Sequence, residues 1–143
     1  GLMTTDLAPE EVLVEVEIPP LAPRTGTSFV EIARRKGDYA QTGVATVVTL
    51  DESGGVARVK LVYLTAGETP IEATRATAVL ERDGLTQKSI DEAAALAARE
   101  EIEPTDDIHA SAEFKRHLAE VVTRRALTTA HRRAAGAGLI AAV

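Results

Sequence analysis

A charged loop at residues 34–43 carries the side chains whose types and spacing could do chemistry. Three consecutive cations come first, then a glycine, a carboxylate and a phenol, in the order Arg34, Arg35, Lys36, Gly37, Asp38 and Tyr39. The loop lies between two strand-like runs, and loops held on such scaffolds often carry binding and catalytic residues. On residue types alone the same charges are typical of a solvated hairpin tip, which is the favoured interpretation before anything else is considered.

Other polar clusters give weaker candidate sites. The histidines His109, His117 and His131 could bind a metal, but none lies three or four residues from another histidine and no cysteine assists them. Asp106 and Asp107 could form a carboxylate pair for acid–base catalysis, yet their position is typical of a turn between helices. Neither a Gly-x-Ser-x-Gly elbow nor a Gly-x-Gly-x-x-Gly phosphate cradle occurs. The sequence therefore predicts no metal site and no catalytic residue.

The composition limits the classes of function. The chain has 143 residues, of which 45% are hydrophobic and 27% charged, as expected for one folded domain. A net charge of −6, with two Phe, two Tyr and no Trp, argues against nucleic-acid binding. The lack of cysteine excludes disulfides, thiolate zinc sites and iron–sulfur ligation. With no apolar run long enough to span a bilayer and no signal-peptide pattern, a cytoplasmic location is the default expectation.

A two-residue hydrophobic period in the first half of the chain predicts strands. They are expected at residues 12–18, 27–34, 43–51 and 56–65. Prolines end the first of them, and residues 21–26 form an irregular linker. In the second strand, Val30 and Ile32 are expected to face the core. The last three strands form an antiparallel meander with a tight Ser-Gly-Gly turn at residues 53–55.

In the second half the hydrophobic period lengthens to about 3.6 residues, which predicts three helices. A capping box that starts at Thr69 begins the first helix, which ends before Gly84. A second capping box, starting at Ser89, begins the next helix. The third helix spans residues 111–133. Its predicted buried face consists of Phe114, Leu118, Val121 and Val122.

These elements together predict an α+β fold. It consists of an antiparallel three- to four-stranded sheet, a β-meander, followed by three helices packed on one face. Residues 24–135 are expected to form this domain. Residues 1–23 are expected to be an N-terminal tail and strand with a linker, and residues 136–143 a C-terminal tail.

The order of these features and two sequence stretches carry a resemblance to a known family. The stretches are Arg-Lys-Gly-Asp-Tyr-Ala at residues 35–40 and Ser-Ala-Glu-Phe-Lys-Arg-His-Leu at 111–118, with Arg-Arg-Ala-Leu at 124–127. The chain resembles the C-terminal domain of the flavoprotein (medium) subunit of carbon monoxide dehydrogenase and of related molybdenum hydroxylases such as xanthine dehydrogenase. The resemblance covers nearly the whole chain and is specific for the family, not for the substrate.

The resemblance implies a role in flavin chemistry. It implies that FAD is bound mainly by a preceding domain, of which residues 1–23 resemble the last strand and the linker. It places the loop near the edge of the isoalloxazine ring, where Asp38 would tune the flavin electrostatically with Lys36 and Tyr39 as neighbours. The implied partners are the FAD-binding domain, an iron–sulfur subunit and a molybdopterin subunit. The chain alone is expected to be inactive and not to retain FAD.

Two other functions stay open at this point. The chain could be a stand-alone, non-catalytic interaction module that keeps the fold without a redox role. In that case Asp38→Ala would leave every flavin-dependent rate unchanged. An independent small enzyme is the weakest alternative, because the sequence contains no self-sufficient catalytic constellation.

Overall fold

The computed structural model describes residues 4–136, which form a four-stranded antiparallel sheet and three α-helices. The strands are β1 (Thr25–Ala33), β2 (Ala40–Leu50), β3 (Val56–Leu64) and the two-residue β4 (Ile71–Glu72), paired in that order. The helices are α1 (Thr74–Asp83), α2 (Gln87–Leu96) and α3 (Ala112–Ala134), with a π-helical turn, Ala97–Glu101, after α2. The predicted meander followed by three helices is confirmed.

Alternation along the strands buries one face of the sheet. Val44 of β2 lies opposite Tyr63 of β3, and both side chains are fully buried in the single hydrophobic core. In β1, Val30 and Ile32 pack against the same core and are partly buried. The predicted orientation of β1 is therefore confirmed.

The helices cover that buried face. Helix α3 packs against β1 and β2, α1 packs against β3, and α2 contacts both α1 and α3. The approach of α3 to β1 depends on Gly26, because a Cβ atom there would lie 2.0 Å from the carbonyl oxygen of Ala130. Small residues on both sides thus set the distance between helix and sheet.

The buried face of α3 differs from the predicted one. Val122 is buried as expected, but Phe114 is 47% exposed and both Leu118 and Val121 are only partly buried. Most of the buried side chains of α3 are small or polar: Lys115, Ala119, Val122, Thr123, Ala126, Leu127, Ala130 and Ala134. Hydrophobicity alone predicts that Phe114 and Leu118 are buried. The close approach of α3 to Gly26 of β1 instead leaves room only for small side chains at this contact, such as those of Ala130 and Ala134.

The predicted starts of the first two helices are wrong. Residues 71–72 pair with β3 as strand β4, so α1 begins at Thr74 and Thr69 caps nothing. Helix α2 does begin with a capping box, but Thr86 is its N-cap and Ser89 is its third residue. For α1, the local capping pattern is overridden by the pairing of residues 71–72 with β3. For α2, a second capping pattern lies only three residues earlier, at Thr86, and the sequence alone cannot decide between the two.

The predicted strand at residues 12–18 does not form. The segment has no regular secondary structure and lies outside the sheet, and its apolar side chains are between 66% and 88% exposed. A strand needs a partner for its backbone groups, and this segment has none among the described residues. Of the expected C-terminal tail, only Gly136 lies within the described residues. In the part of the chain that is described, none of the helices combines the length and apolar character that crossing a membrane requires.

Candidate functional site

The predicted site is the hairpin connection between β1 and β2, hereafter the tip loop, residues 34–39. Its backbone forms a tight turn, in which the Asp38 N–H donates a hydrogen bond to the carbonyl of Arg35 at 3.2 Å. The Arg35 Nε lies 3.4 Å from Asp38 Oδ2, and the other carboxylate oxygen accepts from the Tyr39 N–H at 3.0 Å. Gly37 permits this turn with a φ of +84°, a conformation that other L-residues rarely adopt.

The three predicted site residues come together on this turn but face different ways. The Asp38 carboxylate is directed back into the loop, where it holds the turn together. Lys36 is exposed, and the Tyr39 side chain is 95% exposed. A charged group and an aromatic ring thus project from the tip, while Asp38 fixes the backbone that carries them. Asp38 is a positioning group first, which its sequence position alone did not indicate.

The base of the tip loop is attached to the segment that precedes α3. The Arg34 guanidinium lies 2.5 Å from His109 Nδ1, and the Gln41 side-chain amide donates to the His109 carbonyl at 3.4 Å. These contacts join residues 75 and 68 positions apart in the chain. The sequence suggested for His109 only a metal-binding role, which it did not favour, and no local pattern indicates this long-range contact.

His109 is itself held in place by an ion pair between the exposed Asp107 and the buried Lys115. The Asp107 carboxylate accepts from the backbone N–H groups of His109 at 2.7 Å and Ala110 at 2.9 Å. Its second oxygen lies 2.6 Å from the Lys115 ammonium, which also donates to the carbonyl of Thr105 at 2.7 Å. The hydrogen bond from Lys115, helped by the two backbone amides, holds the pKa of Asp107 well below its usual range. Asp107 is therefore an ionised structural group.

The other polar candidates have structural roles or remain on the surface. Asp106 accepts the N–H of Ala112 at 2.5 Å and so helps to begin α3, which confirms the turn interpretation for this pair of aspartates. His117 is exposed on α3 and His131 is partly buried near its end. Over residues 4–136, no three His, Cys, Asp or Glu side chains are placed so that they could hold a metal ion.

A hollow of about 650 Å³ lies beside the tip loop. It is bounded by the start of β2, the turn between β3 and β4, and the segment before α3: Ala40, Gln41, Thr65, Gly67, Glu68, Thr69, Ile71, Glu103, Thr105, Asp107 and Lys115. Gln41 and Asp107 therefore belong both to the hollow and to the attachment of the tip loop.

Comparison with known proteins identifies the family. The family described as "CO dehydrogenase flavoprotein C-terminal domain" matches residues 27–130. The chain belongs to this family. The CO dehydrogenase flavoprotein C-terminal domain identified by resemblance in the sequence is thereby confirmed, and the matched range includes the tip loop, the hollow and nearly all of α3.

Relatives of this domain occur in several dehydrogenases. The chain is 36% identical over 130 residues to the 6-hydroxypseudooxynicotine dehydrogenase complex subunit alpha of Paenarthrobacter nicotinovorans, covering 91% of this chain and 44% of that protein. It is 30% identical over 136 residues to the carbon monoxide dehydrogenase medium chain of Hydrogenophaga pseudoflava, covering 94% of this chain and 46% of that one. The chain thus spans less than half the length of these relatives.

Solved structures of related enzymes share the fold. Carbon monoxide dehydrogenase from Hydrogenophaga pseudoflava superposes with a TM-score of 0.76 at 28% identity, over 81% of this chain and 40% of that one. Quinoline 2-oxidoreductase from Pseudomonas putida 86 gives a TM-score of 0.71 at 30% identity, over 78% of this chain and 39% of that one. The α+β architecture of the CO dehydrogenase flavoprotein C-terminal domain family is therefore the architecture of this chain.

Proposed function

We propose that this chain is the C-terminal domain of the FAD-containing subunit of a molybdenum hydroxylase-type oxidoreductase. In this role it forms part of the flavin pocket and of a subunit interface, while electrons pass from molybdenum and iron–sulfur centres to FAD. Membership of the family and the names of the relatives support the subunit assignment. The observation that carries the proposal is a tip loop whose backbone is fixed while Lys36 and Tyr39 stay exposed. Such a surface is ready to meet a ligand or a second domain.

The residues of the tip loop fit one wall of a flavin site. Apart from Gly37 and its two chain neighbours, none of the described residues has an atom within 4 Å of the position that a Cβ of Gly37 would take, so a flat ring can approach the tip closely. Tyr39 offers an exposed aromatic face and Lys36 a positive charge. FAD, when bound, supplies electron transfer at its isoalloxazine ring. Asp38, Lys36 and Tyr39 would line the edge of that ring and set the local charge, and the rest of the cofactor would be held by another domain.

The N-terminal segment supports a partner domain as well. Five apolar side chains of this segment are exposed: Val12, Leu13, Val14, Val16 and Ile18. A contiguous exposed apolar patch of this kind often marks a surface that another domain covers. Residues 1–23 would accordingly pair with the sheet of the FAD-binding domain, and residues 24–135 would form the domain proper. The iron–sulfur and molybdopterin subunits complete the proposed complex, and the cytoplasmic location stays a prediction.

Reconstitution with a matching FAD-binding domain tests the proposal. The chain alone is expected to be colourless, and to form a stable complex when it is titrated with the FAD-loaded partner domain. Val14→Lys should weaken this association, because it places a charge among the exposed apolar side chains of residues 12–18. In the complex, Asp38→Ala should change the reduction potential of the flavin and the flavin-dependent rate.

Asp83→Ala is the matched control, because Asp83 also pairs with a neighbouring arginine but lies at the end of α1. It should change neither association nor the flavin potential. A titration that detects no association would contradict the proposal as a whole. Association with an unchanged potential in Asp38→Ala would instead favour the non-catalytic interaction module, for which the exposed apolar segment at residues 12–18 is the supporting observation.

A further inference from the structure

We propose that His109 is a positioning residue, and that its neutral imidazole holds the tip loop in place by accepting a hydrogen bond from Arg34. The consequence for flavin chemistry rests on the function proposed above, whereas the hydrogen bond and its effect on the loop do not. His109 lies outside the tip loop itself. It acts through Arg34, the first residue of the loop after β1.

The chemistry of the two side chains sets the direction of the hydrogen bond between Arg34 and His109. A guanidinium has only donors and stays charged in proteins, so Arg34 must donate. The nitrogen 2.5 Å from Arg34 Nη1 is His109 Nδ1, which must therefore be the acceptor. The neutral ring then carries its proton on Nε2. A doubly protonated ring would have no acceptor and would bring a second positive charge against the guanidinium.

The anchor behind His109 is rigid. Lys115 belongs to α3 and is only 6% exposed, and its ammonium fixes the carboxylate of Asp107. That carboxylate accepts the backbone N–H of His109, and the backbone carbonyl of His109 accepts from Gln41 at the start of β2. A continuous set of contacts thus connects the core of the domain with Arg34.

The tip loop has few other means of staying in place. The pairing of β1 with β2 shifts register between Ile32 and Ala33, so the ladder is already irregular where the loop begins. The ion pair between Arg35 and Asp38 lies within the loop and does not attach it to the domain. Gly37 adds conformational freedom at the apex. Among the described residues, the bond from Arg34 to His109 is the side-chain link between the loop and the segment before α3.

Fluorescence of the full chain tests this, because the chain contains no tryptophan. Tyr39→Trp introduces a single indole on the tip loop, and its time-resolved anisotropy measures local motion there. In this background His109→Leu should lower the residual anisotropy. His109→Asn should restore it, since the amide oxygen of asparagine can take the place of Nδ1 as acceptor.

Two further variants secure the interpretation. Arg34→Met removes the donor while keeping an unbranched apolar stem, and it should loosen the loop as much as His109→Leu does. His117→Leu, an exposed histidine on α3, should have no effect. Unchanged anisotropy in both His109→Leu and Arg34→Met, with folding verified by circular dichroism, would overturn the proposal. No flavin is used, so this result is independent of the proposed function. A loosened loop that left the flavin potential of the reconstituted complex unchanged would count against the flavin role alone.

Discussion

Two buried threonines should respond in opposite directions to the same substitution. Thr46 in β2 is 1% exposed and Thr123 in α3 is 0% exposed, so Thr→Val removes one buried hydroxyl at each position. The Thr46 hydroxyl has no hydrogen-bond partner among the described residues. The Thr123 hydroxyl has two, at 2.7 Å from the carbonyl of Ala119 and 2.5 Å from the Tyr63 hydroxyl.

The contacts of Thr123 set the direction of its two hydrogen bonds. Its hydroxyl donates to the Ala119 carbonyl, so it must accept from the Tyr63 hydroxyl. Burial raises the pKa of Tyr63 far above neutral pH, so the phenol always keeps the proton that it donates. Thr123→Val removes both bonds and leaves a buried phenol without an acceptor. The expected loss is roughly 2 kcal/mol of unfolding free energy, because an unsatisfied buried donor bears its full desolvation cost.

Thr46→Val should raise stability for the converse reason. An unpaired buried hydroxyl is destabilising relative to a methyl group of similar size, and the expected gain is about 1 kcal/mol. Val also suits a strand, so no backbone preference opposes the change. The two variants should therefore differ by about 3 kcal/mol, which corresponds to midpoints about 1 M or more apart in urea.

Urea unfolding followed by far-ultraviolet circular dichroism measures this difference. Tyr63→Phe is the internal control for Thr123→Val, since it removes the donor and leaves no unpaired hydrogen. Tyr63→Phe should lower the free energy of unfolding by less than Thr123→Val does. The loss in the double variant, Tyr63→Phe with Thr123→Val, should be smaller than the sum of the two single losses. If Thr46→Val and Thr123→Val shifted the midpoint in the same direction, the hydrogen-bond assignment of at least one of the two hydroxyls would be wrong.

Three more changes probe the contacts that position the site. Gly26→Ala should lower the free energy of unfolding by about 3 kcal/mol, because the added Cβ would lie 2.0 Å from the Ala130 carbonyl oxygen of α3. An unchanged midpoint of urea unfolding would show that α3 can move away freely. Glu101→Ala should lower the free energy of unfolding by about 1 kcal/mol, since this carboxylate accepts hydrogen bonds from two backbone N–H groups of α1. Helix α1 has no side-chain N-cap of its own. Glu101→Gln keeps an acceptor and should lower the free energy of unfolding by less. The pKa of Asp107 is lowered on folding, mainly by Lys115, so its stabilising effect is present above the ordinary carboxyl pKa of about 3.9 and is lost as the pH falls below it. Asp107→Asn should flatten the dependence of the urea midpoint on pH in this acidic range, and an unchanged slope would contradict the assignment.

The sheet could be predicted from the sequence because its pattern is local. Alternation in β2 and β3 reports which side of each strand meets the core, and the glycines between them allow the turn. The segment at residues 12–18 shows the same alternation but forms no strand, because pairing needs a partner that the pattern does not contain. Strand β4 is the opposite case: it forms but was not predicted. Two residues are too few to show a period, and only their pairing with β3 defines the strand.

The candidate site was predicted in part for the same physical reason. Its charged residues are consecutive, so the tip loop is visible in the sequence as a cluster. The residues that fix it are not, because hydrogen bonds such as that from Arg34 to His109 join positions far apart in the chain and have no repeating period. Glu101 is a similar case, since it caps α1 from the π-helical turn.

The way in which the tip loop is held argues for a role beyond closing a hairpin. Ordering a residue costs roughly 1–2 kcal/mol of conformational entropy, and a loop with no function can stay mobile at no cost. Here the loop is ordered by the Asp38 carboxylate and by the contact between Arg34 and His109. This order does not bury the exposed side chains of the loop within the domain, since Tyr39 remains 95% exposed. Fixing a surface in advance lowers the cost of binding to it. An ordered but uncovered tip is therefore what a domain needs if it completes a pocket that another domain begins.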